Sequence, residues 1–263
     1  MAEPSDLNAA AMVVRFFRQP SGREVFSLLL LACDTSGPSV SVALWRDGRL
    51  LAEMTLNVGL IHSVTFMPLV QDLLERSGMA AEDISHFAVT TGPGSFTGIR
   101  IGISAVKAMA YAGGRTVVGC STLDVMAWPF RQEGRTLVCP LIDARNQRAY
   151  AAAWLRDDLL MAPTDRPLAE IYTDLASLAN ERHEIDSILL LGFVPDTAFP
   201  ASLVRKVTVR VAPASAWLPR SAVLAEMAAA AIALGEDIPP AQLDATYIAR
   251  SSAERLFDRG HGN

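Results

Sequence analysis

Histidine, cysteine and excess positive charge are all scarce in this chain of 263 residues, and each scarcity removes a class of chemistry. The four histidines are His62, His86, His183 and His261, each far from the others along the chain. A metal held by a histidine pair four apart on one helix face is therefore absent from the sequence. A composite site would need the fold to gather distant histidines, which more often cap or sit on the surface. Cys33, Cys120 and Cys139 are scattered through apolar, strand-like surroundings, a pattern that suits a reducing compartment and buried small hydrophobes better than ligands or nucleophiles. A net charge of −5 gives the chain no electrostatic grip on nucleic acid. If RNA is involved, a partner holds it.

Long apolar runs are missing too. Phe26 to Cys33 and Ala222 to Leu234 stop short of the roughly 20 residues that a membrane span requires. Across positions 1–26, Glu3 and Asp6 precede an apolar patch broken by Arg15 and Arg18, the wrong charge order for a secretory leader. That stretch is expected to be either a loose extension or the product of a start placed too early, with Met12 as the real one. The expected location is the cytoplasm, without membrane attachment.

What the sequence does contain is a full core: 51% of its residues are hydrophobic, enough for one large domain or two halves. Apolar strands are expected at Leu28 to Ala32, Val40 to Leu44 and Leu50 to Leu56, the last two joined through an Asp47-Gly48 hairpin turn. Phe66, Leu69, Val70, Leu73 and Leu74 then give the helical rhythm of His62 to Arg76, with Pro68 expected to kink the helix or mark its first turn. A strand at Phe87 to Thr90 runs into Gly92-Pro93-Gly94-Ser95-Phe96-Thr97-Gly98, followed by a helix to about Ala112. After a strand at Val117 to Gly119, Ser121 caps a helix reaching Trp128, and Gln132 to Arg135 reads as a linker. Farther on, Ser187 to Leu191 and Val207 to Ala212 look like strands, Leu168 to Asn180 and Ser221 to Leu234 like helices, and the tail after Arg250 like a solvated end.

An internal echo organises these elements. Leu29 to Leu50 resembles Val138 to Leu159 at a constant offset, so that Asp34 answers Asp143 and Trp45 answers Trp154. Each aspartate closes an apolar strand and is followed by a polar turn and a second strand ending in tryptophan. A supersecondary unit that recurs in this way indicates duplication. The expected units are residues 1–26 as an extension, 27–131 as a first half and 132–263 as a second.

Duplicated halves that each open with a strand, an aspartate-bearing turn and a hairpin resemble the actin-like ATPase superfamily. The strings LACDTSGPSVSVALWRDGRLLAE, HSVTFMPLVQDLLERSG, AVTTGPGSFTGIRIGISAVKAMAYA and DARNQRAY are similar to the bacterial TsaB (YeaZ) family of tRNA threonylcarbamoyladenosine biosynthesis proteins, densely from Leu28 to Tyr150 and thinly afterwards. Two departures stand out. Asp34-Thr35-Ser36-Gly37 lacks an expected third hydroxyl residue, and Tyr247-Ile248-Ala249-Arg250 only partly matches a tyrosine-leucine-arginine element near the family's end. The resemblance implies an α/β fold of two duplicated actin-like, RNase H-like halves with mixed sheets flanked by helices. It also implies a non-catalytic subunit in the modification of adenosine 37 of tRNA, working with the paralogous transferase TsaD and the ATPase TsaE. Self-association, contact with tRNA only through the complex, and no cofactor of its own complete that expectation.

The residues bear on this directly. In an actin-like kinase, the alternative reading, Asp34 and Asp143 would position metal or water and a glycine-rich loop would approach the adenosine. The only such loop, Leu190 to Pro195, holds one glycine among bulky neighbours. Asp143 is followed by Ala144 and Arg145, which crowd a turn meant for phosphate. Asp34, Thr35, Ser36, Asp143 and Arg145 are thus expected to form a vestigial nucleotide cleft, with both aspartates equally able to cap turns at strand ends. Gly92 to Gly98 invites a phosphate-loop reading, but it lacks a lysine and Pro93 removes an N–H donor, which favours a tight turn. A peptidase finds no supporting order of serine, histidine and aspartate.

The helix after that turn carries a small-residue stripe, Gly98, Gly102, Ala105 and Met109, beside an apolar stripe of Ile99, Ile103, Val106 and Ala110. Two adjoining stripes suit a helix that packs on its own sheet with one and on another chain with the other. The competing reading makes both internal. Since the family pairs these two helices with its partner, the expected contact residues are Phe66, Leu69, Leu73, Gly98, Arg100, Gly102, Ala105 and Met109. Arg100 serves a partner or solvent, and Lys107 snorkels at the surface.

Overall fold

A computed structural model describes residues 27–57, 59, 62–195 and 207–248. The expectations for residues 1–26, for His261 and for the tail after Arg250 lie outside the described residues.

The first half opens with the expected meander. Strand β1 (Leu29–Asp34) pairs antiparallel with β2 (Val40–Arg46), and β2 with β3 (Arg49–Leu56). Asp47 and Gly48 both take positive φ, 47° and 83°, the geometry that lets a two-residue turn follow the twist of its strands. Helix α1 (His62–Ser77) contains Pro68 without ending there, and buries Phe66, Leu69, Val70, Leu73 and Leu74 against the sheet. Each such side chain contributes about 1.5–3 kcal/mol on leaving water. Strand β4 (His86–Gly92) joins β1 in parallel, helix α2 (Phe96–Gly113) crosses over, and β5 (Thr116–Ser121) closes a sheet of order β3-β2-β1-β4-β5.

A short helix α3 (Thr122–Ala127) and the linker lead into β6 (Thr136–Asp143), β7 (Arg148–Leu155) and β8 (Asp158–Pro167), then helix α4 (Leu168–Glu181), β9 (Ser187–Gly192) and β10 (Thr208–Val211). The second sheet runs β10-β9-β6-β7-β8. It repeats the order and directions of the first strand for strand: three antiparallel strands, then two added in parallel. The α/β plan of two similar halves with mixed sheets is thus present among the described residues. Trp45 and Trp154 lie at corresponding ends of β2 and β7, each on the face away from its half's crossover helices.

The sheets separate at the linker, but the helices that cover them do not. Helix α3 packs its Leu123, Met126 and Ala127 with Val138, Trp154 and Leu191 of the second sheet. Helix α5 (Ser221–Ala233), near the end of the chain, lays Leu224, Ala225, Ala228 and Ala229 on Leu30, Ala32 and Ala88 of the first. The segment after α5 goes farther into the first half. Ile238 bridges Val117, and Leu243 enters the first core. Residues 221–247 therefore follow the second half in sequence but pack on the first, whereas Ile248 returns to the cluster around Trp154.

Candidate functional site: a closed cleft and an open helical face

The turn after β1 and the segment after β4 are built against each other. Asp34 is fully buried. Its Oδ1 accepts hydrogen bonds from Ser36 Oγ at 2.6 Å, Thr90 Oγ1 at 2.6 Å and the Ser36 N–H at 3.3 Å, while Oδ2 makes none. Burial pushes its carboxyl above the ordinary carboxylate range, against those same hydrogen bonds. The neighbouring Thr35 hydroxyl donates to the Gly98 carbonyl at 2.7 Å, and the Ser95 N–H donates to the Ser36 carbonyl at 2.7 Å.

These contacts explain the glycines of GPGSFTGIRIG. A Cβ on Gly94 would overlap the Ser36 backbone, one on Gly98 the Thr35 carbonyl, and one on Gly102 the Thr35 hydroxyl. Gly94 also has φ of 156°, and the Gly92-Pro93 peptide is cis. Ser95 caps α2 by accepting from the Gly98 N–H, and Gly114 closes the helix in the left-handed region at φ 62°. The turn after β1 and the segment after β4 leave no room between them, since Thr35, Ser36 and Gly94 fill it.

Asp143 caps its turn as Asp34 does, through the N–H two residues on, but differs in its surroundings. It is exposed, and its Oδ1 accepts the Arg145 N–H at 2.7 Å. Arg145, Asn146 and Gln147 all take left-handed φ, 65°, 53° and 58°, coiling the turn back on itself. No hydrogen bond among the described residues joins this turn to that of Asp34. Gly192 sits at φ 84°, where a Cβ would overlap the Leu141 carbonyl, so it serves as a strand terminus packed onto the end of β6. No group of three metal-ligating side chains occurs among the described residues. His62 faces the Gly37 carbonyl at 3.0 Å, His86 lies 3.9 Å from Asp237, and His183 is in an exposed turn.

The expected contact residues divide by burial. Phe66, Leu69 and Leu73 lie in the first core, and Gly98 and Gly102 are shut against Thr35. These five cannot line a free surface, because the helices turn that stripe toward the sheet. Ala105 and Met109 are partly buried along the same core, and Arg100 alone of the eight is exposed. The outward stripe of α2 is instead Phe96, Arg100, Ser104, Ala108 and Tyr111, at helical spacing. On α1, Val64, Met67, Pro68 and Gln71 face out. Tyr111 is 82% exposed, Val64 67%, Met67 46% and Phe96 43%, a large apolar content for water-facing positions on two touching helices. The second stripe read from the sequence, Ile99, Ile103, Val106 and Ala110, is buried in the same core, so both stripes face inward, as the competing reading has it, and the outward stripe is neither of them. Lys107, expected at the surface, instead donates to the Leu243 carbonyl at 2.9 Å.

With this geometry in view, comparison with known proteins is specific. The family model for TsaD, tRNA N6-adenosine threonylcarbamoyltransferase, matches residues 58–238. The tRNA threonylcarbamoyladenosine biosynthesis protein TsaB of Escherichia coli is 42% identical over 130 residues, covering 49% of this chain and 56% of that protein. Its Bacillus subtilis counterpart is 35% identical over 128 residues, covering 48% and 55%. The chain thus spans about half the length of the curated relatives it matches. The solved YeaZ structure from Pseudomonas aeruginosa superposes with a TM-score of 0.65 at 28% identity, covering 84% of this chain and 99% of that one. The residues 58–238 match and these relatives together place the chain in the TsaD family of tRNA N6-adenosine threonylcarbamoyltransferases, on its TsaB (YeaZ) branch.

Proposed function

We propose that the chain is a non-catalytic subunit of the machinery that makes threonylcarbamoyladenosine in tRNA, docking onto and activating a TsaD transferase. The observation that carries this reading is the pairing of a closed cleft with an open helical face. Asp34, Thr35 and Ser36 are consumed by contacts to Thr90 and to the Gly94 to Gly102 segment, whereas Val64, Met67, Ala108 and Tyr111 present apolar surface outward. Surface of that kind gains by association. The names of the relatives supply the process, and the family model supplies the kind of partner. TsaE and tRNA would join through the complex, and a second copy of this chain would compete for the same face.

The test is co-expression with the TsaD homologue of the same organism. Val64→Glu and Met67→Glu alter exposed side chains, so their thermal midpoints should stay within about 2 °C of wild type while the pair no longer co-purifies. Undiminished co-purification of both variants would remove the docking reading. Calorimetry with ATP and magnesium on the isolated chain should give no heat. Micromolar binding lost in Asp143→Ala would put a kinase in its place.

A further inference from the structure

The chain's last described residues end on the N-terminal turn of α2. From Ile238 to Tyr247 a strap crosses the first half and is fixed at each step. The Ile238 N–H donates to the Val117 carbonyl at 2.9 Å, Lys107 Nζ donates to the Leu243 carbonyl, and the Thr246 N–H donates to the Thr91 carbonyl at 2.8 Å. The first half is shaped to receive it. A Cβ on Gly92 would stand 2.8 Å from the Thr246 carbonyl oxygen, and one on Gly119 would meet both Thr91 Cγ2 at 2.7 Å and Leu243 Cδ1 at 2.9 Å. Gly92 thus makes room for a segment from the far end of the chain, and Gly119 for that segment and its own neighbour Thr91.

At the strap's end Tyr247 joins the outward stripe. Its ring centroid lies 5.4 Å from that of Phe96, Arg100 Cζ sits 3.9 Å over the Phe96 ring, and Arg100 Nε donates to the Tyr247 hydroxyl at 3.0 Å. All three side chains are exposed. Among the described residues Arg100 forms no ion pair and bonds only through Nε, which leaves both terminal nitrogens for a bidentate acceptor. Stacking and the hydroxyl contact fix the guanidinium before any partner arrives, which lowers the ordering cost of binding.

We infer that Tyr247 completes the docking face, so that the surface is composite: α1 and α2 from the first half, and an aromatic anchor with a pre-set Arg100 supplied through the C-terminal strap. The partner it fits is a protein helix presenting a carboxylate to Arg100, flanked by apolar side chains for the Phe96 and Tyr247 rings. This inference rests on the docking reading, and the occupant is the TsaD homologue proposed there.

Affinity for that homologue is measured on the full chain by titration calorimetry for wild type, Val64→Glu, Tyr247→Ala, Tyr247→Phe and Arg100→Gln, each with its thermal midpoint. Tyr247→Ala should weaken binding at least 10-fold. Tyr247→Phe keeps the ring but removes the acceptor for Arg100 Nε, and should weaken it about 3-fold, near the low end of a single hydrogen bond. Arg100→Gln should weaken binding and flatten its dependence on salt, as loss of a charge pair requires. Wild-type affinity in Tyr247→Ala alongside lost binding in Val64→Glu overturns the composite face and leaves the docking reading intact. Wild-type affinity in both removes the docking reading itself. If Tyr247→Ala lowers the thermal midpoint, Tyr247→Phe and Arg100→Gln decide, and unchanged affinity in both overturns the inference.

Discussion

Gly102→Ala separates a packing role from a docking role at one position. In a solvent-facing helix interior the substitution stabilises by about 1 kcal/mol, because alanine loses less backbone freedom than glycine. Here the new Cβ would overlap Thr35 Oγ1 and stand 3.4 Å from Val89 Cγ2. Thr35 cannot simply turn away. It is β-branched, buried and bonded to the Gly98 carbonyl at 2.7 Å. Either α2 lifts from the sheet, an overpacking cost of about 1–3 kcal/mol, or the buried hydrogen bond is lost at a similar cost. Set against the helix gain, the net loss is about 1 kcal/mol, or roughly 2–4 °C in thermal midpoint for a chain of this size. Thr35→Ala alone should cost about 1–2 kcal/mol through the lost bond. In the Thr35→Ala background, however, the methyl group added at position 102 occupies the vacated hydroxyl position, and the helix gain is recovered. The double variant should therefore be more stable than the two singles predict, by about 2–3 kcal/mol of coupling. Thermal and urea unfolding of the four proteins measures this. Additivity to about 0.5 kcal/mol, the scatter expected of independent sites, would refute the reasoning. So would a Gly102→Ala chain of wild-type stability that fails to bind TsaD.

Three further outcomes follow from the same geometry. A carboxyl raised on folding holds its proton more tightly in the native state, so the stability it contributes is complete below its unfolded value of 3.8 and is lost as pH rises through its folded value. Asp34→Asn should therefore gain stability relative to wild type between acid and neutral pH, while Asp34→Ala, which strands Ser36 and Thr90, should cost about 2–4 kcal/mol at either; urea midpoints at acid and neutral pH test both. Burial drives the Cys33 and Cys139 thiols well above the usual range and Cys120 up to about 12, so a thiol reagent should label none of the three quickly until denaturant is added. Arg131 is held between the Trp128 and Trp154 rings and paired with Asp124, so Arg131→Ala should destabilise by about 2–4 kcal/mol, read from unfolding, without changing partner affinity.

Local pattern sufficed for much of the fold. The hairpin at Asp47-Gly48, the two crossover helices, the capping serines and the repeated aspartate and tryptophan all depend on contacts within a few residues, where periodicity and turn chemistry act directly. Strand β8 escaped because it lacks apolar alternation, with Asp158, Pro163, Thr164, Asp165 and Arg166 in one strand. The two stripes on α2 were both visible, but their roles were not. Both turn inward, Ile99, Ile103, Val106 and Ala110 into the core and Gly98 and Gly102 against Thr35, while the outward stripe carries Arg100 and Ser104 among its apolar side chains and so ranks below them on a helix wheel.

By itself, the sequence determined the duplicated α/β plan, the tight turn at Gly92 to Gly98 and the family strings, since each can be read along the chain without knowing which elements touch. Only the tertiary structure decided that the Asp34 turn is packed against Gly94 to Gly102, that Gly98 and Gly102 are interior, that α5 and the strap return to the first sheet, and that Tyr247 stands beside Phe96 and Arg100. Those are contacts between residues 63 to 180 positions apart. No local periodicity encodes them, because they exist only once two finished elements compete for the same space.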